Sequence, residues 1–152
     1  MPDVQELIIR QNSPMTAKMK SKPFRSRSRS DWDDVRVPIM KWCLKVKLAQ
    51  NWSSFSDLLS RTNDWPIVEE STKDSFWGAL PKQNGLLEGG NVLGRLLMEL
   101  RQRMKRNPMQ FEIVDPVAIP DFKLLGREIG SVFRKQPPPA AINTYSAGSK
   151  RR

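Results

Sequence analysis

The chain contains no histidine, a single cysteine and no apolar run long enough to span a membrane among its 152 residues. Without histidine, the chain alone builds neither a Ser-His-Asp nor a Cys-His nucleophile system, and it lacks the imidazole ligands of most catalytic zinc sites. The lone Cys43 forms no disulfide within the chain, and no Walker or Rossmann type of Gly-rich phosphate loop is present. We therefore expect no metal or organic cofactor, no secretory leader or membrane association, and a cytoplasmic location.

The net charge is +10, and its distribution along the chain is uneven. Residues 1–30 hold seven basic and two acidic residues, and residues 127–152 hold six basic and one acidic residue, so the middle of the chain is neutral. Strong positive charge is typical of proteins that bind polyanions. The two ends therefore indicate proximity to nucleic acid, and the charge says little about a pocket in the neutral body.

The spacing of apolar residues predicts a mainly α-helical protein. We expect one compact domain over residues 1–133, with a few short extended segments, followed by a disordered basic and Pro-rich tail over residues 134–152. A short helix begins at Ser13-Pro14, and residues 21–30 are interpreted as a basic loop. A strong helix follows Asn91, and residues 122–133 show a final amphipathic pattern.

A long core helix is predicted from Asp31 to about Ala49, and Pro38 is expected to kink or divide it. Its inward face is predicted from residues that recur at three- and four-residue steps: Trp32, Val35, Ile39, Trp42, Cys43 and Val46. Ser53 or Ser54 then caps a helix that ends near Asn63, and residues 78–90 are interpreted as a loop.

Three clusters of polar and aromatic residues stand out against this helical background: Arg29 to Trp32, Ile67 to Gly78, and Gly90 to Arg95. Acidic residues beside tryptophan can form a pocket in which the aromatic ring stacks on a planar base and a carboxylate contacts a sugar. The alternative is that Trp32 and Trp77 belong to the core and that the acidic side chains are solvated.

Taken in order, these clusters resemble the NADAR, or YbiA-like, domain family. The resemblance runs from about Gln11 to Gly126. It also includes Lys47-Leu48-Ala49-Gln50-Asn51 and continues through Gly90-Asn91-Val92-Leu93-Gly94-Arg95. It implies a mainly helical hydrolase of N-glycosidic bonds that removes ADP-ribose from guanine in nucleic acid or cleaves a related ribosyl nucleotide. In the antitoxin branch it further implies a cognate DNA ADP-ribosyltransferase toxin as partner.

The resemblance also implies roles for individual residues. Asp74 and Glu69 are the catalytic candidates, and Asp74 would orient ribose or water. Trp32 or Trp77 would stack on the base, while Arg29, Lys47 and the amides that follow Asn91 would receive phosphate. The full set of substrate-binding candidates is Arg29, Asp31, Trp32, Lys47, Trp77, Gly78, Asn91 and Gly94. The alternative for Lys47 is a surface lysine, and for Asn91 a simple helix cap; Cys43 is interpreted as a core residue.

The family carries a glutamate regarded as catalytic on a helix that precedes the segment matching Gln11 to Met19. We expect no counterpart of this glutamate-bearing helix ahead of Gln11, and Glu6 lacks the surroundings of the family glutamate. Two other functions therefore stay open beside the hydrolase. One is a binding module for ADP-ribose or nucleotides without catalysis, and the other is a basic nucleic-acid-binding protein that uses the Arg-Ser stretch and the tail.

Overall fold

A computed structural model describes residues 1–135, and this part of the chain is mainly α-helical, as the sequence predicts. The α-helices are α1 (Pro2–Ile9), α2 (Pro14–Ser21), α3 (Trp32–Gln50), α4 (Trp52–Arg61) and α5 (Val92–Arg106), and two 3₁₀ helices span Lys22–Arg27 and Pro108–Phe111. No helix among these residues has the length and apolar character needed to cross a bilayer. The predicted tail lies outside the described residues from position 136 onward.

The main core lies where α3, α4 and α5 meet. Apolar residues recur every fourth position along α5, so Leu96, Leu100 and Met104 share one face. That face packs against side chains from α3, α4 and the second 3₁₀ helix: Leu44, Leu48, Phe55, Leu59 and Phe111. The core thus holds together the three longest helices and fixes the start of α5, which carries several predicted site residues.

Helix α3 has apolar residues on two sides, which corrects the predicted inward face. The side that meets the main core carries Leu44 and Leu48. Trp42 lies outside that core and makes an edge-to-face contact with Phe122, with ring centroids 5.0 Å apart. Cys43 is exposed and therefore is not a core residue, although partial burial still raises the pKa of its thiol.

Three local features differ from the predicted elements. Helix α3 runs without interruption through Pro38, so the predicted division does not occur. Residues 22–27 form a 3₁₀ helix, although the sequence indicated a loop. The residue before α4 is Asn51, two residues ahead of the predicted serine cap.

The strands are two residues long and form three separate antiparallel pairs. In chain order they are β1 (Leu80–Pro81), β2 (Leu87–Glu88), β3 (Ile113–Val114), β4 (Lys123–Leu124), β5 (Arg127–Glu128) and β6 (Val132–Phe133). The β1–β2 pair lies inside the predicted loop over residues 78–90.

The amphipathic pattern of residues 122–133 belongs to a hairpin followed by an extended strand. Leu125 and Gly126 have φ values of 52° and 79°, which place both in the left-handed region. Two such residues in sequence form the tight turn that joins β4 to β5. The next residues pair with β3, and Arg134 and Lys135 donate backbone hydrogen bonds to Glu112 and Ala49.

Arg101 is buried in the middle of α5, with 2% of its surface exposed. Its Nη1 donates hydrogen bonds to the Thr62 hydroxyl at 2.8 Å and to the Trp65 carbonyl at 2.9 Å. Both acceptors belong to the turn that follows α4. Arg101 thus ties α5 to the start of the segment that leads to the Glu69–Gly78 residues.

Candidate functional site

An open cleft of about 780 Å³ lies between α1, the segment before α3 and residues 120–123. Three predicted binding residues, Arg29, Asp31 and Trp32, line it together. Its other lining residues are Met1, Val4, Gln5, Ile8, Arg27, Ser28, Ser30, Ile39, Pro120, Asp121, Phe122 and Lys123. The structure therefore groups one of the three sequence clusters around a space that can hold a ligand. We name this space the Arg29 cleft.

Arg29 and Asp31 form a two-point ion pair inside the cleft. The Arg29 Nε and Nη2 atoms donate to the two carboxylate oxygens of Asp31, and Nη2 also donates to the Pro120 carbonyl at 2.9 Å. The hydrogen bond from Arg29 lowers the pKa of Asp31, and the same pairing raises the pKa of Arg29. Asp31 is therefore ionised and Arg29 is held in a fixed orientation by side-chain and backbone oxygens.

Trp32 is the first residue of α3 and lines the cleft with 42% of its surface exposed. An exposed indole beside an arginine offers an apolar face for a planar ring and a cation for a phosphate or sugar oxygen. This arrangement fits the base-stacking role predicted for Trp32.

A second group of predicted residues lies at the start of α5, where three chain segments are joined by hydrogen bonds. We name it the Asn91 turn cluster and define it by Ile67–Glu69, Asp74–Ala79 and Gly89–Gly94. Asn91 has a φ of 45° in the left-handed region. Its side chain accepts from the Glu69 amide at 3.0 Å and donates to the Ile67 carbonyl at 2.9 Å. Asn91 thus connects two chain segments and makes no side-chain hydrogen bond to its own helix.

Three amides at the start of α5 have backbone partners. The amides of Asn91, Val92 and Leu93 donate to the carbonyls of Gly78, Phe76 and Trp77 at 2.9 to 3.1 Å. These carbonyls satisfy donors that a helix start otherwise leaves free. The predicted role of the first α5 amides in receiving phosphate stays a prediction, and these three amides are engaged within the chain.

Gly78 and Gly94 are required by close approach of the backbone. A Cβ on Gly94 would lie 2.1 Å from the Ile67 carbonyl oxygen, and a Cβ on Gly78 would lie 2.5 Å from the Glu69 carbonyl oxygen. Both distances are far inside van der Waals contact. The two predicted glycines thus allow the segments of the Asn91 turn cluster to meet.

Asp74 also serves this cluster. Its Oδ1 accepts from the amides of Phe76 and Trp77 at 3.1 and 2.9 Å, and its own amide donates to the Ser71 hydroxyl. Glu69 is exposed and contributes its backbone groups to the same fold. Trp77 is half-buried and packs against the main core. These three residues are brought together by the backbone, outside the set that lines the Arg29 cleft.

Lys47 lies toward the opposite end of α3 from Trp32. The fifteen positions between them correspond to about 22 Å along a helix. Its Nζ stands 4.8 Å from the centre of the Phe55 ring. The structure thus separates Lys47 from the cleft.

Three residues that sequence reasoning missed shape this region. The Arg36 guanidinium lies 3.7 Å from the centre of the Phe76 ring and joins the start of α3 to the Asn91 turn cluster. Gln5 and Phe122 bring α1 and the β4–β5 hairpin to the cleft. Gln5 and its partner Lys123 are 118 positions apart, and no local pattern signals that contact.

Comparison with known proteins places the sequence in a family. The sequence model of the NADAR domain matches residues 2–105. The match therefore begins with α1, ahead of Gln11 where we expected the resemblance to start, and it ends within α5. No solved structure matches the chain.

Two similar relatives illustrate the match. A riboflavin biosynthesis protein of Vibrio vulnificus is 33% identical over 121 residues, which cover 77% of this chain and 31% of that protein. The N-glycosidase YbiA of Escherichia coli is 33% identical over 100 residues, which cover 66% of this chain and 59% of that protein. The chain thus spans about a third to three fifths of the length of these curated relatives. With a family match over most of its length, the chain belongs to the NADAR domain family.

Proposed function

We propose that this chain is a NADAR-type hydrolase of N-glycosidic bonds that removes ADP-ribose from guanine in nucleic acid or cleaves a related ribosyl nucleotide. The observation that carries the proposal is the Arg29 cleft, where an exposed tryptophan stands beside an ion-paired arginine. The names of two relatives, an N-glycosidase and a riboflavin biosynthesis protein, support this reaction class. The single-domain organisation, the cytoplasmic location and the toxin partner are part of the same proposal.

The residues of the cleft suit a ribosyl substrate. Trp32 stacks on the base, Arg29 contacts a phosphate, and the ionised Asp31 faces the positive charge that develops on the ribose. In hydrolysis the bond between ribose C1 and the base nitrogen breaks and its electron pair goes to that nitrogen, which takes a proton. Water adds its hydroxyl to C1 and gives its other proton to a carboxylate or to solvent.

A binding module without catalysis is the second candidate, and one observation favours it. The carboxylates among the lining residues of the cleft are Asp31 and Asp121, and each lies within ion-pair distance of a cation, Arg29 and Lys123 respectively. A carboxylate held by a cation is a poor proton acceptor. Such a cleft would bind ADP-ribose and release it unchanged.

Release of ADP-ribose from an ADP-ribosylated guanine oligonucleotide tests the proposed reaction. We expect release by the wild-type chain above the uncatalysed background. Tight binding of ADP-ribose together with no release would instead establish the binding module.

The pair Asp74→Asn and Asp74→Ala tests the predicted catalytic role of Asp74. Asparagine keeps the oxygen that accepts from the Phe76 and Trp77 amides but removes the charge. If Asp74 performs proton transfer, Asp74→Asn loses about 100-fold in rate while its melting temperature stays unchanged. The control is Asp33→Asn, because Asp33 is 83% exposed in the first turn of α3. Equal rates for Asp74→Asn and wild type would assign Asp74 to the backbone cluster alone.

A further inference from the structure

The second wall of the Arg29 cleft comes from a part of the chain beyond the family match. The match ends at residue 105, whereas Pro120, Asp121, Phe122 and Lys123 line the cleft together with residues of α1 and with Trp32. We name residues 120–125 the C-terminal wall. The family model therefore does not cover the contacts that this wall makes with a ligand.

Gln5 fixes the C-terminal wall to α1 through both ends of its amide. Its Nε2 donates to the Lys123 carbonyl at 2.9 Å, and its Oε1 accepts from the Leu125 amide at 2.7 Å. A side-chain amide that satisfies one donor and one acceptor of the same short segment holds that segment in one position. The wall is thus anchored by the family-matched part of the chain.

Two further contacts hold the wall beside the motif residues. The Pro120 carbonyl accepts from Arg29, which the family resemblance assigned to the site. The Phe122 ring rests edge-on against Trp42 of α3, with an interplanar angle of 87°. Phe122 is half-buried and lines the same cleft as the exposed Trp32.

We propose that Phe122 is a specificity-determining residue that contacts the planar base of a ribosyl nucleotide in the Arg29 cleft, and that Gln5 is the positioning residue that holds it there. This inference rests on the proposed function because it places a base in that cleft. Two aromatic side chains on separate walls of one cleft provide apolar contact to a flat ring from both the family-matched side and the C-terminal side. Base contacts of this kind accept any base but add affinity that a bare sugar phosphate does not gain, so the specificity is for a nucleotide over a sugar phosphate.

The test compares adenosine monophosphate with ribose phosphate, which lacks the base, by calorimetric titration of the full chain. Phe122→Leu keeps an apolar side chain against Trp42 and removes the aromatic face. We expect it to weaken binding of adenosine monophosphate about tenfold and to leave ribose phosphate unchanged. Phe133→Leu is the matched control, because Phe133 is 68% exposed on β6 outside the cleft, and we expect no change in either titration.

Gln5→Ala tests the positioning role. We expect faster hydrogen exchange at the Leu125 amide and the same selective loss of adenosine monophosphate affinity, with the melting temperature as a check on folding. Gln5→Glu keeps the acceptor for the Leu125 amide but replaces the donor to the Lys123 carbonyl with an oxygen that this carbonyl repels, so we expect an intermediate effect.

Equal losses for both ligands in Phe122→Leu, no loss for either, or no binding of adenosine monophosphate by the wild-type chain would overturn the inference. The proposed hydrolysis is judged separately by release of ADP-ribose, so base-selective binding without turnover supports this inference and contradicts the enzyme.

Discussion

The Arg29 cleft and the Asn91 turn cluster both contain motif residues, but these residues face open space in the cleft and bond to backbone in the turn cluster. In the cleft, Arg29, Asp31 and Trp32 face a space of about 780 Å³. In the turn cluster, the polar groups of Asp74 and Asn91 bond to backbone, and the glycines remove side chains where carbonyls approach. A motif can therefore mark a ligand site or a place where backbone segments pack closely together. The contacts that each residue makes in the structure distinguish these two roles.

The largest expected effect in this comparison is the loss of stability in Gly94→Ala. An alanine inside a helix normally stabilises it by about 1 kcal/mol relative to glycine. Here its Cβ would lie 2.1 Å from the Ile67 carbonyl oxygen, so we expect a net loss of about 3 kcal/mol in urea unfolding. Gly130→Ala is the control, because nothing lies within 4 Å of its added Cβ. Similar stabilities for the two variants would show that the turn cluster is loosely packed.

Substitution of Asn91 is expected to have the next largest effect. Asn91→Ala removes two hydrogen bonds and leaves alanine in a left-handed conformation, so we expect a loss of about 2 kcal/mol in the free energy of unfolding. Asn91→Gly adopts the same φ freely and should lose less. Ligand binding in the cleft should persist in both variants at temperatures where they are folded. Loss of ligand binding without loss of stability would show that Asn91 contacts the ligand and does not act by ordering the backbone.

The smallest expected effect is the pH dependence of the stability that the Arg29–Asp31 ion pair gives to the cleft. The pKa of Asp31 in the folded chain lies below its unfolded value of 3.8, so the pair with Arg29 stabilises the folded state above that value and is lost as the pH falls through the lowered pKa. We expect the difference in melting temperature between wild type and Asp31→Asn to be small at neutral pH and to shrink as the pH falls through 3.8 and below. A constant difference over this range would show that charge pairing does not organise the cleft.

The helices could be predicted because their signals are local. Leu96, Leu100 and Met104 repeat at helical spacing, and Asn107-Pro108 ends the helix. The face of α3 was harder to predict, because Trp42 packs against a segment that lies eighty residues later in the chain. Cys43, placed between two apolar residues, is exposed. A helix with apolar residues on two sides does not reveal from sequence which side meets the larger core.

The structure brings some of the predicted site residues together and separates others. The cluster from Arg29 to Trp32 does line a cleft, whereas Lys47 lies about 22 Å along the same helix. The C-terminal wall could not be foreseen, since it depends on contacts with Gln5, Arg29 and Trp42, which are distant in sequence, and on a turn at Leu125 and Gly126. Residues 122–133 have apolar spacing that suits a helix as well as a hairpin. The left-handed conformation of Leu125 and Gly126 forms the turn of the hairpin.

Arg101 anchors the turn after α4 through neutral acceptors. Its hydrogen bonds to Thr62 and Trp65 go to a hydroxyl and a carbonyl, so this anchor contains no carboxylate. The Arg29 cleft instead depends on the ion pair between Arg29 and Asp31. Acidification, which neutralises Asp31, should therefore loosen the ligand site more than it loosens the turn after α4.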